Sequence, residues 1–143
     1  MGSRLAGLAA LALLGAEAPT PGAKLTVALA GIRSDQGTIV CELFASRDGY
    51  PKDSTKALQL KKVGIQQRTA SCVFEGLARG TYAVAAYHDE NANGKLDTNF
   101  LGIPSEGVAA SNDAKGTMGP PSFEKAKFAV SSTDLTITLH LSY

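Results

Sequence analysis

The sequence has no tryptophan, only two cysteines among its 143 residues, and almost no excess of charge of either sign. Its 14 Lys and Arg against 13 Asp and Glu give a net charge of +1. Such a chain lacks the basic surface that holds nucleic acid, and we expect no nucleic-acid partner. Two cysteines are too few for a disulfide-framework miniprotein. A hydrophobic content of 44% is too high for a disordered chain. The length is that of one domain.

The first apolar segment is short. Residues 5–15 consist of Leu, Ala and Gly, and they follow a start with one basic residue, Arg4. At about eleven residues the segment is too short to cross a bilayer of roughly 30 Å, but it suits a secretory signal. We predict a signal peptide over residues 1–18, with cleavage within 16–23. The mature chain would be secreted or periplasmic, without a membrane span. The alternative is an N-terminal core helix.

The remaining sequence, residues 24–143, alternates apolar and polar residues over short stretches. A period of two is typical of β-strands with one buried face. The stretches are 24–32, 38–44, 70–74, 81–88 and 135–141. Residues 53–60 predict at most one helical turn, capped by Asp53 or Ser54. We therefore predict an all-β fold, a single antiparallel β-sandwich of about seven strands with one long loop.

The two cysteines fall on different predicted strands. Cys41 and Cys72 each lie on the apolar side of their strand. In an oxidising compartment two such thiols pair if their Cα atoms come within about 7 Å. We therefore predict a disulfide between Cys41 and Cys72. The alternative is two buried free thiols that pack as small hydrophobic side chains.

One polar loop, residues 88–97, has the residue pattern of a calcium-binding loop. Asp or Asn oxygens stand at positions 1, 3 and 5, and Gly94 at position 6 permits the sharp turn. A backbone carbonyl and a carboxylate follow at positions 7 and 9, where calcium loops also provide ligands. The predicted ligands are Asp89, Asn91, Asn93, Lys95 through its backbone carbonyl, and Asp97.

The loop departs from an EF-hand at position 12, where a bidentate Glu is expected and Phe100 stands. The missing ligand would come from elsewhere in the chain; the candidates are Glu90, Glu106, Asp113 and Glu124. Because the motif holds only two formal negative charges, we expect weak affinity, of order 10⁻⁴ to 10⁻³ M. The alternative is a plain polar turn, since Asn93-Gly94 is a strong hairpin signal and Asx turns satisfy the loop backbone.

The stretch after the polar loop, residues 98–122, has no regular period. About 25 residues of this kind are unusual in a compact domain and indicate either function or disorder. Apolar side chains argue against disorder because they can anchor the loop on the sandwich; they are Phe100, Leu101, Ile103, Met118 and Phe123. One interpretation is a structural cover over a sheet edge. The other is a ligand-contacting surface that the neighbouring turn holds in place.

Three stretches in the second half of the sequence form one pattern. They are residues 76–107, which include Tyr-His-Asp-Glu-Asn-Ala-Asn-Gly-Lys-Leu-Asp, and residues 111–116 and 119–124. The pattern resembles the signature of domain-of-unknown-function family 2141, and the likeness covers nearly all of residues 24–143. The resemblance implies an exported bacterial β-sandwich related to prealbumin-like or carboxypeptidase regulatory domains. It implies no catalytic residue, and the cysteine pair is not expected throughout the family.

No known catalytic motif stands out in the sequence. It has no G-x-S-x-G elbow, no H-E-x-x-H, no phosphate-binding loop and no cofactor fingerprint. We therefore expect no enzyme, but an exported, calcium-stabilised module that binds a partner or a cell-envelope component through residues 98–123. One alternative is a metal-assisted hydrolase that uses His88 and Asp89 with Glu106 or Glu124. Another is a purely structural subunit.

Overall fold

The structure, a computed structural model, describes residues 22–143, which form eight β-strands. The strands are β1 (Ala23–Ala30), β2 (Thr38–Phe44), β3 (Gln59–Val63), β4 (Ala70–Leu77), β5 (Gly80–Asp89), β6 (Val108–Ala110), β7 (Phe128–Val130) and β8 (Leu135–His140). The predicted signal peptide lies outside the described residues. Within residues 22–143, no helix combines the length and the apolar character that a membrane crossing requires.

The strands form two sheets. The first sheet has the order β4–β1–β8, and the second has the order β3–β2–β5–β6, with β7 also paired to β5. All of these pairs are antiparallel except β1–β8, whose strands run parallel in register from Leu25 with Leu135 to Ala30 with His140. The predicted all-β sandwich is confirmed. It differs from the prediction in this one parallel pair and in the short strands β3, β6 and β7.

The main core lies between the two sheets. Side chains alternate between the two faces of a strand, so every second residue of β1 and of β2 points inward. The fully buried side chains include Leu25, Val27, Ile39, Leu43, Phe74, Val84 and Leu139. Each large apolar side chain buried in this way stabilises the fold by about 1.5–3 kcal/mol.

The outer face of the second sheet is covered too, so that β2 is buried on both faces. Phe44 packs edge-on against Tyr50 with 5.1 Å between ring centroids, and Tyr50 packs against Phe123 at 5.8 Å. Small side chains complete this second cluster; they are Ala83, Ala110 and Ala126. Glu42 is also buried on this face, and its burial, with a smaller effect of Asp53, raises the pKa of its carboxyl.

A buried serine fills the gap between β6 and β7 along β5. The hydroxyl oxygen of Ser111 accepts from the backbone N–H of Val84 at 2.9 Å. The same hydroxyl lies 2.6 Å from the carbonyl of Ala126, to which it donates. The side chain therefore replaces the strand pairing that β5 lacks at this point.

The regions between the predicted strands contain short helices. A 3₁₀ helix at Ser54–Lys56 begins at Asp53, whose side chain accepts from the N–H of Thr55, as the predicted capped turn requires. The stretch expected to be one long loop is interrupted by β6 and by a 3₁₀ helix at Ser111–Asp113. Helix α1 (Phe123–Ala126) follows it.

The predicted disulfide is not present, because Cys41 and Cys72 are free thiols. They lie on β2 and β4, in opposite sheets, and both are fully buried in the main core. The neighbouring thiol of Cys72, together with burial, raises the pKa of Cys41 well above its ordinary value. Because the apolar core disfavours the thiolate, the pair packs as small hydrophobic side chains. This is the alternative that the sequence left open.

Candidate functional site

A buried carboxylate at the end of β5 begins the polar loop. Asp89 is fully buried; its Oδ1 accepts from the N–H of Asn93 at 3.1 Å and its Oδ2 from that of Gly94 at 2.8 Å. Gly94 has a φ of 83°, a conformation that glycine adopts without steric cost. Asp89 therefore holds the loop closed from its inner side.

Three side chains meet on the outer side of the same loop. The amide nitrogens of Asn91 and Asn93 donate to the two carboxylate oxygens of Asp97, at 2.6 and 2.7 Å. These hydrogen bonds, that from Asn93 first, hold the pKa of Asp97 below its ordinary value. The amide oxygens of Asn91 and Asn93 accept from backbone N–H groups two residues further on, at 3.3 and 3.2 Å. Each asparagine is thus bonded through both of its polar atoms.

A second buried carboxylate joins the polar loop to the segment that follows it. Glu106 accepts from the N–H of Glu90 at 2.8 Å through Oε2 and from the N–H of Asp97 at 2.9 Å through Oε1. The charged acceptor strengthens both hydrogen bonds because it is shielded from water. Glu106 therefore fixes both ends of the loop on one side chain.

Four of the five predicted calcium ligands are brought together, but protein donors occupy their side-chain oxygens. Asp89, Asn91, Asn93 and Asp97 share one loop, and Lys95 contributes its N–H to it. In the described part of the chain, no group of three or more His, Cys, Asp or Glu side chains is arranged to hold a metal ion. The other proposed carboxylates pair elsewhere: Glu90 with Arg33, Asp113 with His140, and Glu124 with Arg47 and Lys127.

Residues 97–105, here called the apolar hairpin, fold back on themselves beside the polar loop. The side-chain oxygen of Asn99 accepts from the N–H groups of Leu101 and Ile103, at 2.8 and 3.1 Å. The backbone of Asn99 also bonds to Ile103 and Gly102. At the base, the N–H of Ser105 donates to the carbonyl of Asp97 at 3.0 Å. Hydrogen bonds, and not apolar packing, hold this hairpin.

The apolar side chains of the hairpin point into solvent, which corrects the expectation that they anchor the loop. Phe100 is 96% exposed, Leu101 67% and Ile103 56%. Met118, in the following segment, is 98% exposed. Phe123 alone of the expected anchors packs on the sandwich, against Tyr50. The hairpin closes through its own hydrogen bonds, so its side chains need no contact with the sheets.

His88, the candidate catalytic residue, is fully buried at the end of β5. Its Nε2 lies 2.7 Å from the carbonyl of Gln36, which can only accept, so Nε2 carries the proton. Nδ1 lies 2.8 Å from the hydroxyl oxygen of Tyr143, which accepts from the N–H of Arg33. Both ring nitrogens are used inside the protein.

The carboxylates that were predicted to act together with His88 also have hydrogen-bond or ion-pair partners within the protein. Those of Asp89 and Glu106 accept from backbone N–H groups, and Glu124 lies in exposed ion pairs. The structure therefore gathers His88, Asp89 and Glu106 around one loop but does not bring Glu124 to them. The other histidine, His140, is exposed on β8 and bonds to Asp113.

The sequence patterns did not identify all the residues that shape this region. Arg33 pairs with Glu90 and places its guanidinium 4.4 Å from the ring centroid of Tyr143. No local pattern signals this contact, because its partners are far apart in the chain. Asn99 was detectable: Asn at the first and Gly at the fourth position, here Gly102, favour a type I turn.

Together these features define a small β-sandwich domain that carries a hydrogen-bonded polar loop and an exposed apolar hairpin at one end of β5. A family model described as an uncharacterised protein conserved in bacteria (DUF2141) matches residues 27–138. The chain therefore belongs to this family, as the resemblance in its sequence indicated. No curated protein and no solved structure matches the chain.

Proposed function

We propose that this protein is an exported, non-enzymatic binding module that attaches to a partner or an envelope component through the 98–123 segment, with the apolar hairpin as the contact. The observation that supports this proposal most directly is the exposure of Phe100, Leu101 and Ile103 on a hairpin fixed by hydrogen bonds. Exposed apolar side chains grouped in one short segment are characteristic of interaction sites.

The energetics of the hairpin favour binding. Covering a large apolar side chain stabilises a complex by about 1.5–3 kcal/mol, and the hairpin offers three of them. Because Asn99 and Glu106 already fix the backbone, little conformational entropy is lost when a target covers it. The polar loop thus has a role in this proposal as the rigid base of the contact.

The surroundings of His88 support a non-enzymatic role. A general base needs a ring nitrogen within hydrogen-bond reach of its substrate. Both nitrogens of His88 are bonded to Gln36 and Tyr143, and the ring is buried. We assign His88 a structural role, as the residue that joins β5 to Arg33 through the hydroxyl of Tyr143.

Calcium stabilisation of the polar loop is a separable part of the proposal. The side chains of Asn91, Asn93 and Asp97 already converge within hydrogen-bond distance. An ion placed between them would require both amide groups to turn their oxygens inward, which gives up the hydrogen bonds to Asn93 and Lys95. This exchange agrees with the weak affinity expected from the sequence.

A photocrosslinking experiment tests the contact. A benzophenone amino acid is introduced at Phe100 or, as a control, at Leu58, which is 54% exposed in the segment before β3. We expect irradiation of cells that produce the full chain to give a discrete adduct from position 100 and none from position 58. Equal adducts at both positions, or none at either, would contradict the proposal and favour a purely structural subunit.

Thermal unfolding tests whether calcium binds to the polar loop. We expect the melting temperature to rise when millimolar calcium replaces a chelator, since a ligand that binds only the folded state stabilises it. Asp97→Asn should remove this rise, whereas Asp48→Asn, at an exposed residue far along the chain from the loop, should retain it. An unchanged melting temperature in the unsubstituted protein would contradict calcium binding but would not affect the proposed contact through the hairpin.

A further inference from the structure

We propose that the surface covered by the apolar hairpin is that of a lipid bilayer, into which Phe100, Leu101 and Ile103 insert. This inference rests on the proposed function because it uses the same hairpin. It commits that function to one target, a lipid interface, and not to a second protein.

The first argument is the shape of the hairpin. Phe100 is 96% exposed and therefore projects from the surface on almost all sides. A flat protein surface covers only part of such a side chain, and full coverage by a protein needs a matching pocket. The boundary between headgroups and acyl chains deforms around an inserted side chain and covers it completely.

The second argument is the state of the backbone. An unpaired N–H or carbonyl group is costly in hydrocarbon, so a segment that enters lipid must satisfy its own polar groups. The N–H groups bonded within the hairpin are those of Asn99, Leu101, Gly102, Ile103 and Ser105. Pro104 has no N–H, which leaves Thr98 and Phe100 as the residues between 98 and 105 whose N–H has no partner in the described chain. The carbonyls of Phe100, Leu101 and Gly102, at the tip, are also without a donor there. These few unpaired backbone groups place the hairpin at the hydrated boundary of a bilayer, where its apolar side chains reach the acyl chains while the backbone stays at headgroup level.

The third argument is charge. Residues 98–105 contain no charged side chain. The neighbouring carboxylates of Asp97 and Glu106 are held by the asparagines and by backbone N–H groups. Insertion therefore requires neither anionic headgroups nor the loss of a charged group from water. We expect binding to zwitterionic and anionic bilayers to be equal and insensitive to salt.

The absence of tryptophan provides a direct test. The variant Phe100→Trp places a single tryptophan at the tip, and Leu58→Trp places one at an exposed position elsewhere. Each variant is expressed from the full sequence, and the protein purified from the cells is mixed with phosphatidylcholine vesicles. We expect the emission at position 100 to move to shorter wavelength and that at position 58 to stay unchanged. Equal shifts, or no shift at position 100, would overturn the inference.

Vesicle co-sedimentation provides the quantitative test. Full burial of a Phe side chain corresponds to a factor of about ten to one hundred in partitioning. Phe100→Ser should lower the partition coefficient by this factor, whereas Leu58→Ser should not. Binding that needs anionic lipid and is lost in high salt would overturn the inference.

Photocrosslinking in cells and the two vesicle measurements together distinguish failure of the lipid inference from failure of the proposed function. If position 100 crosslinks to a protein in cells and neither vesicle measurement shows insertion, the target is a protein, and the lipid inference is wrong while the contact stands. If position 100 forms no adduct and shows no insertion, both are wrong. A lipid adduct together with the wavelength shift supports both.

Discussion

Replacing Glu106 tests whether one buried carboxylate fixes both the polar loop and the apolar hairpin. Glu106→Ala leaves the N–H groups of Glu90 and Asp97 without the acceptor that they share. A hydrogen bond to a charged group is worth about 1.5–3 kcal/mol, so losing two should lower the free energy of unfolding by roughly 3–6 kcal/mol. Glu106→Gln keeps the shape and one acceptor, and we expect about half of this loss.

Urea denaturation followed by circular dichroism measures the effect, with an unchanged m-value as the sign that the native state is otherwise intact. Amide hydrogen exchange adds a local readout, because the N–H of Asp97 should lose its protection in the Ala variant. Glu124→Ala is the control, since that carboxylate lies in exposed ion pairs and should matter little. A loss below about 1 kcal/mol for Glu106→Ala would refute the role given to this residue.

Three further predictions concern buried groups of the sandwich. Ser111→Ala leaves the N–H of Val84 unpaired and should cost about 1–3 kcal/mol in denaturant unfolding, and an unchanged midpoint would contradict its bridging role. Burial raises the pKa of Glu42, so the folded state binds this proton more tightly and stability falls as the pH rises from the ordinary Glu pKa through the raised one. Glu42→Gln should therefore raise the melting temperature at pH 7 but not at pH 3, and equal shifts at both would point to packing instead. A thiol reagent should find both cysteines unreactive in the folded protein and reactive in denaturant, and rapid reaction of the native protein would contradict their burial.

Strands with one buried face were predictable, because apolar residues on the buried face alternate in the sequence with polar residues on the exposed face. The first strand shows this, since Leu25 and Val27 enter the core while Lys24 does not. The edge strand β3, Gln-Leu-Lys-Lys-Val, is largely exposed on both faces and leaves no such pattern. Strands β6 and β7 have three residues each, too few to show a period.

The candidate site was predictable in position but not in its interactions. The spacing of Asp89, Asn91, Asn93 and Asp97 correctly places them in one loop. The same oxygens serve a calcium ion or backbone N–H groups, and spacing alone does not distinguish these uses. The exposure of Phe100 opposes the usual rule that apolar side chains are buried, so only the three-dimensional structure reveals it.

The parallel pairing of β1 with β8 constrains how the chain can assemble. The backbone N–H of Lys24, beside the first strand pair, reaches the carboxylate of Asp134 at 2.9 Å, 110 residues further along the chain. Strand β1, at the centre of the first sheet, therefore lacks one of its two neighbours until β8 has been added. Contacts so distant in sequence slow folding. Until then β1 presents an open edge that invites association with other chains. A chain with this pairing completes its first sheet only after its last strand, β8, has become available to β1.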